Sequence, residues 1–360
     1  MEALEWGKFM KILVTGHLGY IGTVLTPSLL SRGHEVVGLD ADLFQHCTFA
    51  GTVTQVPSIG RDIRSFVADE ASALEQLRGF DAVIHLAGLS NDPLGDYRPE
   101  LTETINAESS IQLAKLAKQA GIPRFLFASS CSNYGASGDS FINESGRFNP
   151  VTPYGRSKVA VEQAVAPMAD EKFSPTFLRA STAYGLSPRI RFDLVVNNLT
   201  AWAHTTGEVH LKSDGSPWRP IVHVADIAHA YTAIVEADRT QIHNEAFNIG
   251  QTSENYQIRD IAEIVRDVVP NSIVGFADGA SPDVRNYRVD CNYIATKLHG
   301  WKPQWTVRRG IEELYDAYQK NAVTLEEFEG EKYKRIAHIR SRIAKGELTE
   351  DLFSSQSEEA

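Results

Sequence analysis

The sequence predicts an α/β protein: a doubly wound parallel sheet with a smaller C-terminal α/β unit after it. Three observations lead there. Short apolar runs at 10–15, 35–40, 81–87 and 123–129 alternate with amphipathic stretches at 20–32, 69–78, 99–120 and 154–169. Strands separated by helix-length connections are parallel strands joined by crossovers. The first run opens into Thr15-Gly16-His17-Leu18-Gly19-Tyr20-Ile21-Gly22, with a helical stretch directly behind it. Beyond about residue 185 the strands shorten to 208–212, 220–224 and 245–249, and helices at 191–205, 224–237, 257–268 and 307–320 lie around them.

At 360 residues the chain is long for one core, and two domains are expected. The pattern places the first at 10–185, with some later segments returning to it, and the second at 186–320. Residues 321–360 form a helical extension and tail. Within it, 325–345 alternates Glu, Lys and Arg with apolar residues, which predicts exposed helix. The polar stretch 354–360 is expected to be disordered.

Composition narrows the function classes. With 42% hydrophobic and 22% charged residues the chain is globular. A net charge of −11 argues against a general grip on nucleic acid, which needs a basic surface. Cys47, Cys131 and Cys291 are odd in number and widely spaced, as in a reducing compartment. No basic, apolar, cleavable leader opens the chain, and no run approaches the ~18 apolar residues of a membrane span. A soluble cytoplasmic protein is expected, with 1–9 as a leader and Met10 as the natural start. The eleven His and three Cys show no paired ligand spacing, so no metal site is expected.

The glycine stretch carries the first chemistry. Gly16, Gly19 and Gly22 permit a tight turn and let backbone N–H groups reach a pyrophosphate at the positive end of the following helix. Strand, turn and helix in that order give the pattern its meaning. Asp40 closes the second strand, 18 positions after Gly22. A carboxylate there accepts hydrogen bonds from ribose hydroxyls and repels a 2′-phosphate. Ala41 and Asp42 follow with no arginine, so the expected cofactor is NAD. Asp62 and Ile63 fit an adenine contact; an ordinary loop carboxylate is the alternative.

Tyr154 and Lys158 stand four apart at the start of a helix, which puts them on one face. A neighbouring ammonium favours tyrosinate, and such a tyrosine can exchange a proton with a sugar hydroxyl while hydride moves to nicotinamide. The strand before them ends in Ser129 and Ser130, whose hydroxyls can bridge substrate oxygen and tyrosine. A Tyr–Lys pair alone is often only a helix-surface pair. His85, inside an apolar strand, reads as a satisfied buried histidine. Cys131 has no adjacent base and is a poor thiol nucleophile.

Taken together, TGHLGYIG (15–22), LD (39–40), DIR (62–64), HLAG (85–88), FASSCSNYG (127–135), PYGRSK (153–158) and RPIVHVAD (219–226) resemble the extended short-chain dehydrogenase/reductase superfamily in its nucleotide-sugar epimerase/dehydratase branch. The resemblance spans roughly residues 10–320. It implies a Rossmann-type fold and a homodimer joined through the helices at 99–120 and 154–169. It also implies that Tyr20 and Ile21 line the cofactor loop, that Leu86, Ala87 and Gly88 pass beneath the cofactor, and that Asn106 holds the neighbouring loop. Ser130, Tyr154 and Lys158 are the implied catalytic residues, with Lys158 also binding nicotinamide ribose. Asn198, Arg219 and Arg285 match positions that grip a substrate diphosphate. Two positions depart from the pattern: Thr182 replaces the usual sugar-binding Asn, and Ser90 replaces the Lys that galactose epimerases often carry.

Within that branch, 4,6-dehydratases carry Asp-Glu directly after the catalytic Ser/Thr, and UDP-glucuronate decarboxylases keep a Glu in this stretch. Here Cys131 and Ser132 stand there, and neither supplies carboxyl chemistry. Epimerase and 4-keto-sugar reductase remain. The Asp40 signature for NAD favours an epimerase, which regenerates its cofactor in every cycle. Inversion at C4 through a transient 4-keto sugar is the expected reaction. The alternatives are a 4-keto-sugar reductase, a 4,6-dehydratase, or an NAD-sensing binding protein of the same fold.

Overall fold

A computed structural model of the chain describes residues 9–90, 98–276 and 286–355. Seven parallel strands form the main sheet. In chain order the first five are β1 (Lys11–Thr15), β2 (Glu35–Leu39), β3 (Ser58–Ile59), β4 (Ala82–His85) and β5 (Arg124–Ser130). A separate strand, β6 (Ala136–Ile142), follows, and β7 (Ser174–Ala180) rejoins the sheet. The next strands are β8 (Thr182–Tyr184), β9 (Glu208–Leu211) and β10 (Trp218–His223). The seventh strand of the main sheet is β11 (Ala246–Ile249), followed by β12 (Asn255–Gln257), β13 (Ile273–Phe276) and β14 (Asn286–Val289) outside it. The spatial order is β11-β7-β5-β4-β1-β2-β3. The order reverses at β1, which pairs with β2 on one side and β4 on the other. A crevice opens beyond the carboxyl ends of strands at such a switch point.

Side-chain alternation explains why both faces are covered. Leu13, Val83, Phe125, Phe127 and Phe177 point into one core with the helices Ile63–Ala68, Glu70–Leu77, Ser109–Gln119 and Pro153–Val165. Their neighbours Ile12, Val14, Val36, Ile84, Leu126 and Leu178 point into the other, against the helices Gly22–Ser31 and Val224–Glu236. Strands with both faces buried need apolar residues at nearly every position, which is why they read as unbroken apolar runs. Register brings Thr15, Leu39 and His85 level, with Phe127 beside His85, so that the strands end along one line.

A third core joins the helices Val195–Thr206, Ile258–Val268 and Val307–Lys320. Small sheets β8–β10–β12 and β9–β13 border it, while β6 pairs with β14. Strand β11, from the later half of the chain, returns to the edge of the main sheet.

The tail is not the exposed helix that its charge alternation predicts. Phe328 and Tyr333 bury in the third core, and Ile339, Leu348 and Leu352 bury in the first. The helix Arg335–Ala344 also buries Arg335, His338 and Arg342. Arg335 and the His338 ring, which burial keeps neutral, pack against Phe44 in the loop after β2, and Arg342 donates to carbonyls of that loop, so the apolar anchors carry the helix into the fold against the solvation that the charge pattern suggests. Ser354 pairs with Leu348, which places the start of the expected disordered segment in the fold; 356–360 lie outside the described residues.

Candidate active site

At the carboxyl ends of the strands lies a cleft of about 900 Å³. Its floor is the turn after β1. Gly16 adopts φ +74, and a Cβ there would fall 2.7 Å from the amide nitrogen of Ala87. A Cβ on Gly22 would fall 2.3 Å from the carbonyl oxygen of Gly16. Only glycine lets the turn close this tightly, and the closure aims the N-terminus of Gly22–Ser31 into the cleft. The Tyr20 hydroxyl donates to the Gly185 carbonyl at 2.8 Å, tying the turn to the second half of the chain.

Gly16, Gly19, Tyr20, Ile21, Gly22, Asp40, Asp62, Ile63, Leu86, Ala87 and Gly88 all line the cleft. Asp40 accepts from the backbone N–H of Leu18 at 2.9 Å and of Asp42 at 2.8 Å. Burial raises its pKa, and these two donors oppose that rise. Asp62 caps the helix Ile63–Ala68 and pairs with Arg64 through both oxygens, at 2.9 Å each. Its carboxylate therefore has a local structural partner as well as a place on the wall. Asn106, fully buried, brackets Leu89 by accepting from its N–H at 2.7 Å and donating to its carbonyl at 2.9 Å.

No arginine lies near Asp40 in sequence, but folding brings three to the loop that follows it. Arg189 reaches the Asp42 carboxylate at 3.1 Å, Arg342 donates to the carbonyls of Asp42 and Leu43, and the Arg335 guanidinium lies over the Phe44 ring at 3.8 Å.

The catalytic candidates meet on the opposite wall. Thr152 caps the helix Pro153–Val165 by accepting from the Gly155 N–H, and Pro153 occupies its first turn. Tyr154 and Lys158 then face the cleft from that helix. The Lys158 ammonium lies 4.7 Å from the centre of the Phe127 ring and 5.4 Å from that of Tyr154. Burial lowers its pKa to about 8. Ser130, at the end of β5, also lines the cleft, and its hydroxyl accepts from Ser132 Oγ at 2.7 Å.

A buried network fixes this strand end. The Glu162 carboxylate accepts from Arg179 Nη2 at 2.6 Å, Arg179 Nε at 3.0 Å, Asn133 Nδ2 at 3.1 Å and the Ser129 hydroxyl. His85 is satisfied on both sides. Ser110 donates to the Asn106 carbonyl, so its hydroxyl must accept from His85 Nε2, leaving Nδ1 to accept from Thr15. The ring is neutral, with burial and the Lys158 charge holding its pKa down to about 3. Cys131 is fully buried, and burial raises its thiol to about 12. No group of three metal-ligating side chains occurs among the described residues. No helix among them is long and apolar enough to cross a membrane.

Ser90, Thr182, Asn198 and Arg219, the residues expected to meet a substrate, line the same cleft. Arg219 is buried, its guanidinium 5.7 Å from the centre of the Tyr287 ring. Asn198 donates to the Phe192 carbonyl at 2.9 Å. Arg285 lies outside the described residues.

Sequence reasoning missed Arg191 and Asp193. Arg191 is buried, chelates the Asp193 carboxylate with Nε and Nη2, and donates to Ser90 Oγ at 3.1 Å. Two cations so close together in Arg189-Ile190-Arg191-Phe192, ahead of an apolar helix, were the available signal. Arg335 from the tail also lines the cleft. No sequence signal marks it.

The sequence profile of the NAD dependent epimerase/dehydratase family matches residues 12–250. The chain belongs to that family. Its cofactor is NAD, and its main sheet is the Rossmann-type sheet of these enzymes. Relatives in the NAD-dependent epimerase/dehydratase family differ in reaction. UDP-glucose 4-epimerase of Bacillus subtilis is 27% identical over 334 residues, covering 85% of this chain and 94% of its own. UDP-glucuronic acid decarboxylase 1 of Arabidopsis thaliana is 25% identical over 332 residues, covering 90% of this chain and 73% of its own. The solved UDP-glucose 4-epimerase of Thermotoga maritima, with UDP-glucose, superposes with a TM-score of 0.75 at 24% identity, covering 87% of this chain and 100% of its own.

Proposed function

We propose that the protein is an NAD-dependent nucleotide-sugar epimerase that inverts C4 through a transient 4-keto sugar. The observation that carries this reading is the convergence of Ser130, Tyr154 and Lys158 on one wall of the cleft that the glycine turn floors. Tyr154 takes the proton of the C4 hydroxyl, and Ser130 shares that hydrogen bond. The Lys158 ammonium stabilises the phenolate. NAD, held over the Gly16–Gly22 turn and beside Asp40, would supply the hydride acceptor and donor for C4. The chain holds the nucleotide diphosphate through Arg219 while the keto sugar turns to present its other face.

Residues 131 and 132 oppose an elimination reaction. Cys131 is buried away from the cleft and Ser132 is neutral at accessible pH, so the two positions after Ser130 offer no carboxyl acid or base. Asp193 is on the wall but committed to Arg191.

Incubation with a panel of nucleotide sugars tests the reading. Interconversion of C4 epimers without net change in NADH is expected. Accumulation of a 4-keto-6-deoxy sugar would replace this reading with a dehydratase, and stoichiometric NADH oxidation by a keto sugar would replace it with a reductase. A homodimer through the helical stretches 99–120 and 154–169 belongs to the same proposal; light scattering should give twice 39.8 kDa, and the monomer mass refutes it.

A further inference from the structure

The tail crosses the cofactor end of the cleft as a strap. It leaves the third core at Phe328 and Tyr333, passes over the loop after β2, and re-enters the first core at Ile339, Leu348 and Leu352. It is tied along its length. Arg342 donates to the carbonyls of Asp42 and Leu43 at 3.2 and 2.8 Å. Further on, Arg98 reaches Asp351 at 2.9 Å, and Arg64 lies over the Phe353 ring at 3.7 Å. Strap residues Glu329, Tyr333, Lys334, Arg335 and Ile336 form part of the cleft wall.

Arg335 stands out among them. It is only 7% exposed. Its Nη2 donates to the Arg189 carbonyl at 3.3 Å and its guanidinium covers Phe44, yet its buried Nε has no hydrogen-bond partner among the described residues. No carboxylate lies within ion-pair distance among those residues, although the charges of Asp193 and Asp40 act on it from further off, whereas Arg189 and Arg191 pair directly with Asp42 and Asp193. Burial, with the charge of Arg191 adding to it, lowers its pKa to about 10, so the site as it stands disfavours the charge. A buried guanidinium that no anion touches is costly until one reaches it. Arg335 also begins a ten-residue helix, whose positive end shares the same wall.

We propose that Arg335 is a cofactor-binding residue: the strap carries it to the cleft beside the loop after β2, where it engages the dinucleotide's diphosphate. The turn supplies backbone donors, and Arg335 supplies a positive charge through a fork suited to phosphate oxygens. The family's cofactor thereby becomes a tie between the strap and the main sheet. The inference rests on the dinucleotide occupying the cleft over Gly16–Gly22.

Titration calorimetry on the full chain freed of nucleotide tests it with NAD⁺, ADP, adenosine and UDP. Arg335→Met keeps the aliphatic stem over Phe44 and removes the charge. NAD⁺ and ADP should weaken in parallel by about 10–100-fold, the loss of one charge-assisted contact. Adenosine and UDP should change by less than about twofold, and Arg335→Lys should recover part of the loss. The melting temperature without ligand should not fall, because a buried charge that the site disfavours has been removed. Unchanged NAD⁺ and ADP binding overturns the proposal, as does an equal loss for adenosine, or a loss confined to UDP, which would assign Arg335 to the substrate. Failure of the parent itself to bind ADP would overturn the placement of the cofactor instead. Hydrogen exchange on the unmodified protein gives a second measurement: ADP should protect 333–344 and adenosine should not, and equal protection by both overturns the phosphate contact.

Discussion

The Lys158 ammonium sits 5.4 Å from the centre of the Tyr154 ring, one helical turn along the same face and out of contact with bulk water. That pair sets the first prediction. Native Lys158 releases its proton at about 8, against 10.5 for the free side chain. Between these values the unfolded chain binds more protons, so stability rises with pH across the window. Below it the buried charge costs about 3 kcal/mol, at about 1.4 kcal/mol for each tenfold change in proton affinity. Lys158→Met should therefore stabilise the cofactor-free protein at pH 7, and most of the gain should vanish by pH 10. Urea unfolding at the two pH values checks this; a less stable variant with no pH dependence would contradict it. Turnover and NAD⁺ affinity should both fall.

Tyr154→Phe deletes one hydroxyl and keeps the ring. Turnover should drop by about 10²–10⁴-fold, the usual share of a general acid–base group, with NAD⁺ affinity and melting temperature unchanged. Substrate deuterated at C4 should retain its label at C4 in the product. Near-parental turnover in the variant would remove the catalytic assignment, and loss of deuterium to solvent would point to proton abstraction beside a carbonyl.

Asp40 is the residue expected to discriminate between the two nicotinamide cofactors. Calorimetry should show NAD⁺ bound more tightly than NADP⁺, and Asp40→Ala should weaken NAD⁺ by about 1–3 kcal/mol. The variant also strips the N–H groups of Leu18 and Asp42 of their acceptor, so part of the loss will come from the turn itself. Equal binding of the two cofactors by the parent would refute the assignment.

Arg219→Ala should raise KM for the nucleotide sugar and weaken nucleoside diphosphate binding by about tenfold or more, while leaving NAD⁺ affinity alone. Diphosphate binding as tight as the parent's would show that Arg219 serves the fold rather than the substrate.

Glu162→Gln tests the buried network behind Ser130. Its carboxylate and the Arg179 guanidinium are 6% and 7% exposed. Breaking such a pair strands a buried charge and should cost about 3–5 kcal/mol, read as a lower denaturation midpoint. A loss below about 1 kcal/mol would mean that water reaches Arg179 readily.

The main sheet was legible because its information is local. A strand buried on both faces must be apolar throughout, a turn as tight as Gly16 to Gly22 must be glycine, and a Tyr–Lys pair four apart must share a helix face. Those constraints place the glycine turn and the shared face of Tyr154 and Lys158 within residues 10–158. The return of β11 to the sheet edge and the wall built by Arg191 and Asp193 depend on contacts across long sequence separations, and local patterns do not carry those. The tail shows this most plainly. By its own sequence, alternating Glu, Lys and Arg with apolar residues describes a solvated helix. Only the tertiary fold provides the Asp42 and Leu43 carbonyls that satisfy Arg342 and the Phe44 ring against which Arg335 is buried, and the apolar contacts of Ile339, Leu348 and Leu352 hold both in place.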